Sequence, residues 1–80
     1  MNRSQFTFKN STHLDKAIAA LECKFPDLRL TPIYNKTTTE GYQHLLFVDT
    51  VDPISKRDDI LSHITENGGT FVSTVRKPLS

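Results

Sequence analysis

The chain has three histidines and one cysteine, the residue types that most often bind transition metals or form nucleophilic sites. His13, His44 and His63 are far apart, and none has a second histidine or a cysteine at metal-binding spacing. His63 and Glu66 would supply one pair of ligands, which is too few for a site. Cys23 is the only cysteine, so no disulfide and no cysteine-based zinc site can form within one chain. We therefore expect no metal and no cofactor, and we expect Cys23 to be a partly buried helical thiol.

The carboxylates and hydroxyls show no catalytic pattern. Asp49, Asp52 and the pair Asp58-Asp59 lie around the start of a predicted helix, where acidic side chains cap the helix and complement its dipole. The nucleophile signature Gly-x-Ser-x-Gly is absent. Gly68-Gly69 follows a predicted helix instead of opening one, so it is typical of a helix end and not of a phosphate-binding loop. We expect a binding domain and not an enzyme.

The segment that opens the first predicted helix is the best candidate for binding a small anionic group. A helix start has unpaired backbone N–H groups and the positive end of the helix dipole, which together favour a carboxylate. Ser11, Thr12 and His13 add hydroxyl and imidazole groups at this point. Capping of the helix by Ser11 or Thr12 alone is the alternative interpretation.

Length and composition limit the function further. Eighty residues form one domain, which we assign to residues 1–80. The net charge of +1 gives no strong attraction for nucleic acid or an anionic membrane. No apolar run approaches the length of about 20 residues that a membrane span needs. No apolar stretch follows the first residues, so we expect no signal peptide and a cytoplasmic protein.

The first two predicted elements are a strand and a helix. Phe6 and Phe8 alternate with polar residues over 4–9, which is the period of a half-buried strand. A helix is predicted from Thr12, which is spaced with Asp15 like a capping box, and Pro26 ends it. One face of this helix is apolar: Leu14, Ala17, Ile18, Leu21 and Phe25.

A hairpin, a second helix and a last strand complete the chain. Residues 28–35 form a strand that Pro32 restricts to a sheet edge, and residues 42–50 form a central strand with an apolar run. Residues 36–41 are a polar connection. The second helix starts near Asp52-Pro53 or Ser55, and its apolar residues include Ile60, Leu61 and Ile64. Residues 70–76 form the last strand, and residues 77–80 form a tail.

The order β-α-β-β-α-β predicts an α+β domain of the ferredoxin-like class, an antiparallel four-stranded sheet with both helices on one face. Two functional families share this order. RNA-binding domains stack bases on sheet aromatics, but their aromatic-rich pattern is absent here. Short segments such as Phe6-Thr7-Phe8-Lys9 resemble pterin carbinolamine dehydratases, but the paired histidines of those enzymes have no counterpart.

A third resemblance covers most of the chain. Phe8-Lys9-Asn10 with Leu14 and Lys16-Ala17-Ile18 resembles the first strand and helix start of ACT domains, the regulatory type found with prephenate dehydratases and aromatic amino acid hydroxylases. Leu30-Thr31-Pro32-Ile33 resembles the second strand, and Leu46-Phe47-Val48-Asp49 resembles the third.

The resemblance implies a non-catalytic regulatory module that binds a small amino-acid-type ligand at a dimer interface. In that family the ligand contacts the start of the first helix and the end of the second strand. The corresponding residues of this chain are Ser11, Thr12, His13, Leu14, Ile33, Tyr34 and Asn35. The resemblance also implies a homodimer with a fused or separate catalytic partner. The alternative is a protein–protein interaction module, a small adaptor or inhibitor, that has lost ligand binding.

Overall fold

Seven elements follow one another along the chain, and the computed structural model describes them over residues 1–39 and 41–76. They are β1 (Asn2–Phe8), α1 (Ser11–Lys24), β2 (Arg29–Thr38), β3 (Gly41–Thr50), a short 3-10 helix (Ile54–Lys56), α2 (Asp58–Glu66) and β4 (Thr70–Arg76). The strands form one antiparallel sheet in the order β2-β3-β1-β4. The ferredoxin-like α+β fold is therefore confirmed, with β3 and β1 central and with β2 and β4 at the edges.

The two faces of the sheet differ because successive strand residues point to opposite sides. Phe6 and Phe8 of β1 point toward the helices together with Leu46 and Val48 of β3, and all four are buried. They pack against the apolar faces of both helices, whose fully buried members are Leu14, Ala17, Leu21, Ile60 and Ile64. Among residues 1–39 and 41–76, no helix covers the other side, which we call the open face.

Helix α1 begins one residue earlier than predicted and has a different cap. The side chain of Asn10 accepts a hydrogen bond of 2.7 Å from the backbone N–H of Thr12, so Asn10 is the N-cap. The predicted capping box of Thr12 and Asp15 is wrong, because the asparagine preceding the helix satisfies the first-turn donor instead. The helix ends before Pro26, as predicted. Cys23 lies on its exposed side, so the expected burial of the thiol is also wrong.

Helix α2 starts later than predicted. The segment after Pro53 forms a 3-10 turn, and α2 begins only at Asp58 with Arg57 at the N-cap position and no side-chain cap. Neither Asp52 nor Ser55 therefore caps it. The predicted end is confirmed, because Gly68 has a φ of 91°, the left-handed region that glycine tolerates best.

The β2–β3 hairpin is longer than predicted. Residues 36–38 belong to β2 and Gly41 begins β3, so the polar connection predicted for residues 36–41 is mostly strand. The predicted tail, residues 77–80, lies outside the described residues. Among the helices of the described segments, none is long and apolar enough to cross a membrane.

Candidate functional site

The predicted ligand site at the start of α1 is only partly assembled in the fold. Ser11 and Thr12 are exposed, whereas Leu14 is fully buried in the core. His13 is exposed but its ring lies against Gly68, where the Nδ1 atom is 2.8 Å from the position that a Cβ on this glycine would take. Leu14 therefore has a packing role, and His13 faces the end of α2.

Tyr34 does reach the first turns of α1, but its contact there is with an acid. The phenol of Tyr34 donates a hydrogen bond of 2.5 Å to the Asp15 carboxylate. The Tyr34 ring also lies 5.8 Å from the ring of His44, and Nδ1 of His44 accepts a 3.0 Å hydrogen bond from the backbone N–H of Asn35. Asp15 thus brings a negative charge to this region.

Ile33 lies on the other side of the sheet from Tyr34. It is paired with Leu45, whose other cross-strand partner, Thr7, lies on the open face of β1. The register then shifts between Ile33 and Lys36, and Asn35 takes a φ of 57° within this irregularity. The fold thus brings Tyr34 to α1 and separates Ile33 from it.

The Tyr34–Asp15 contact gives a prediction on ionisation. The hydrogen bond to the carboxylate stabilises the neutral phenol and raises the pKa of Tyr34 above its usual value. Since the folded-state pKa is the higher one, the stabilisation is present below about pH 10 and is lost as pH rises through the folded pKa. NMR titration of the Tyr34 ring should show a lower pKa in Asp15→Asn and no change in Asp58→Asn. An equal Tyr34 pKa in the wild type and Asp15→Asn would contradict the contact.

A cleft of about 630 Å³ lies at the opposite end of the sheet, where β1 begins and α1 ends. We call it the end cleft. Its walls come from the start of β1, the α1–β2 connection, the end of β3 and the residue before α2. The lining residues are Met1, Arg3, Lys24, Phe25, Pro26, Asp27, Leu28, Arg29, Asp49, Thr50, Val51, Asp52 and Arg57.

One ion pair is built firmly into the end cleft. Arg3 donates two hydrogen bonds to the Asp49 carboxylate, from Nε at 2.9 Å and from a terminal nitrogen at 3.1 Å. The Asp49 side chain is only 6% exposed, and the Arg3 guanidinium also lies 5.3 Å from the centre of the Phe47 ring. The hydrogen bond to Asp49 raises the pKa of Arg3 still further. This pair, joined by two parallel hydrogen bonds, forms part of one wall of the cleft.

The other cations of the cleft are less constrained. Arg57 lies 5.7 Å from the centre of the Phe25 ring and forms a longer ion pair of 3.3 Å with Asp59, which lowers the pKa of that carboxyl group. Within residues 1–39 and 41–76, Lys24 and Arg29 have no ion-pair or hydrogen-bond partner through their side chains. Two cationic groups are therefore available to an anionic ligand at this end of the sheet.

The sequence alone gave little signal for the end cleft. Its charged residues are scattered from residue 3 to residue 57, and no two of the cations share a recognisable local motif. They meet because three strands, the end of α1 and the start of α2 converge at one end of the sheet. The only available hint was the density of charge on both sides of Pro26, from Lys24 to Arg29.

Two further observations bear on chemistry and family. In the part of the chain that the structure describes, no group of three or more histidine, cysteine or acidic side chains is placed to bind a metal ion. No protein-family model and no curated protein matches the sequence. The ACT resemblance therefore stays a prediction that rests on the short segments quoted above.

Proposed function

We propose that the chain is a non-catalytic regulatory module that binds a small amino-acid-type ligand in the end cleft. One observation carries this proposal. Two cationic side chains that have no ion-pair partner within the described segments, Lys24 and Arg29, line a cleft of suitable size together with the carboxylates of Asp27 and Asp52. Its volume of about 630 Å³ falls within the range of about 300–1,000 Å³ typical of small-molecule sites.

The charges of the cleft match a zwitterion. Lys24 and Arg29 are on either side of the α1–β2 connection and would bind the ligand carboxylate, as guanidinium and ammonium groups do elsewhere. Asp27 or Asp52 would accept hydrogen bonds from the ligand ammonium group. A ligand with only one sign of charge would leave one of these sets unused.

An apolar wall adjoins the charged groups. Phe25 and Leu28 are partly buried against the core and also line the cleft, so their outer surfaces are available to a ligand side chain. Such a mixture of apolar surface with a few polar groups is common in ligand sites. The resemblance to ACT domains supports the same ligand class, although the proposed site is at the opposite end of the sheet from the helix start.

NMR titration of the isotope-labelled chain with each standard amino acid tests the proposal. We expect amide shifts that cluster at residues 24–29 and 49–52 and saturate with at least one amino acid. Inorganic phosphate serves as a second ligand, and it should shift only the amides near Lys24 and Arg29. Equal saturation by phosphate and by the amino acids would point to a simple anion site and contradict an amino-acid ligand.

Matched variants separate the site from general charge effects. Arg29→Gln and Lys24→Gln should each weaken amino-acid binding by about tenfold or more, since a charge-assisted hydrogen bond contributes about 1.5–3 kcal/mol. Lys16→Gln removes an exposed cation elsewhere on α1 and should leave binding unchanged. Shifts at residues 11–14 and 33–36 would instead favour the site predicted from the sequence.

A protein–protein interaction module is the second candidate, and the exposed strand β4 favours it. The absence of any shift with millimolar amino acids would reject the ligand-binding proposal in favour of this candidate.

A further inference from the structure

The two edges of the sheet are protected to different degrees. An edge strand presents unpaired backbone N–H and C=O groups, and most proteins block such edges with proline, charge or a bulge. Edge strand β2 has all three: Pro32 lacks an N–H, Arg29 and Lys36 are charged, and the register is broken between Ile33 and Lys36. Another chain would therefore pair poorly with β2.

Edge strand β4 has much less protection. Among the described residues it pairs with β1 alone, and every one of its seven residues is exposed. It contains no proline and no ionisable side chain before Arg76. Its pairing with β1 has one irregularity, a register shift between Gln5 and Phe6 of β1. Residues 73–76 pair regularly with residues 2–5 of β1. The apolar side chains on it are substantially exposed: Phe71 42%, Val72 49% and Val75 55%.

We propose that β4 pairs antiparallel with β4 of a second copy of this chain, which joins two four-stranded sheets into one. This inference does not depend on ligand binding in the end cleft, since β4 contributes no residue to that cleft. A two-fold axis makes such an interface self-complementary, because each copy supplies the backbone groups that the other lacks.

The charges of β4 favour this partner and this direction. A strand without acidic or basic residues from Thr70 to Val75 has nothing to select a charged peptide. In an antiparallel pair the two Arg76 side chains lie at opposite ends, about 20 Å apart, so their repulsion is screened. Arg76 and Phe71 share the helix side of the sheet, as their partners Asn2 and Phe6 show. Antiparallel pairing places Arg76 of one copy at the end of the other copy's β4 that carries Phe71, whose exposed ring offers a cation–π contact.

Packing through the open face fits the structure less well. Of the run Leu45 to Val48, only Leu45 and Phe47 point to the open face; Leu45 is 7% exposed, and Phe47 is partly buried with Arg3 lying over its ring. The neighbours of Leu45 on this face include the polar residues Gln5, Thr7 and Gln43 as well as Ile33, which is 37% exposed. Three exposed apolar side chains, Phe71, Val72 and Val75, lie together on β4.

A charge-swap experiment at the middle of β4 tests the pairing. Ser73 is the central residue of the seven, so the two Ser73 side chains lie close together when the strands overlap fully. Ser73→Glu and Ser73→Lys would each place like charges there, which is unfavourable between opposed strands, and should weaken association by about tenfold or more. An equimolar mixture of the two variants should recover the association, measured by sedimentation velocity.

The controls are a matched edge position and a measurement on the unmodified chain. Thr31 is exposed on the other edge strand, so Thr31→Glu and Thr31→Lys should leave association unchanged. Hydrogen exchange of the wild-type chain should become slower with rising concentration at residues 70–76 and not at residues 29–38. A wild-type monomer at about 100 μM would overturn the proposal, since it places any dissociation constant above that concentration. Loss of the dimer in the Thr31 variants, without an effect at Ser73, would also overturn it.

Discussion

Replacing Leu21 with alanine is expected to lower the free energy of unfolding by about 2–5 kcal/mol. Leu21 is fully buried, in the middle of the apolar face of α1 and in the same cluster as Phe6, Leu46 and Ile60. The truncation removes buried apolar surface and leaves a cavity that close-packed neighbours fill only partly. Because a domain of this size has a total stability of only about 4–12 kcal/mol, the loss should be a large fraction of it.

Urea denaturation followed by circular dichroism measures this effect, with Glu22→Ala as the control. Glu22 is the next residue on the same helix and is exposed, so its replacement should change the free energy of unfolding by no more than about 0.5 kcal/mol. Similar losses for the two variants would contradict a specific role for the burial of Leu21, since alanine favours the helix at both positions.

Replacing Gly69 with alanine should cost about 1–3 kcal/mol, although the change adds only one methyl group. Gly69 is buried at the junction of α2 and β4, and its backbone N–H donates a 2.9 Å hydrogen bond to the carbonyl oxygen of Ile64. A Cβ atom at this position would lie 2.6 Å from the Phe8 ring and 2.6 Å from Cγ2 of Ile64. Both distances are far shorter than normal contacts, so the end of α2 would have to move away from β1.

A double-mutant cycle identifies the clash as the cause. Phe8→Leu removes the ring atom nearest to Gly69, so the double variant Phe8→Leu/Gly69→Ala should lose less stability than the sum of the two single variants. Thr70→Ala, at the exposed next position, should have an effect within about 0.5 kcal/mol. Strict additivity in the cycle would contradict a clash with Phe8.

The glycine pair at residues 68 and 69 predicted the end of α2 correctly, but the pattern did not reveal the packing role of Gly69. The pair Gly68-Gly69 predicted a helix end, and α2 does end at Glu66 with the left-handed conformation at Gly68. The second glycine has a different role, because it lets the chain pass close to Phe8 and Ile64. Only the packing of α2 against β1 reveals this close approach.

The site predicted at the start of α1 also shows how little a local sequence pattern reveals about contacts between distant elements. A helix start favours anions in general, and this general property gave Ser11, Thr12 and His13 as candidates. In the fold Asn10 already accepts a hydrogen bond from that turn, and Asp15 with Tyr34 adds a negative charge beside it. The local pattern could not show which side chain of β2 would reach the helix.

The sequence by itself determined the order and type of the elements, the buried face of α1, the edge position of β2 and the bounds of β4. These are local properties, since the period of apolar residues, a proline and a pair of glycines act within one element. Tertiary structure alone decided the end cleft and the contrast between the two sheet edges. Arg3, Lys24, Arg29 and Arg57 belong to different parts of the chain, and the strand order β2-β3-β1-β4 with its two helices is what brings them together. The same order leaves β4 at an edge. In the described part of the chain, β1 forms hydrogen bonds with β3 on one side and with β4 on the other, whereas β4 pairs with β1 alone.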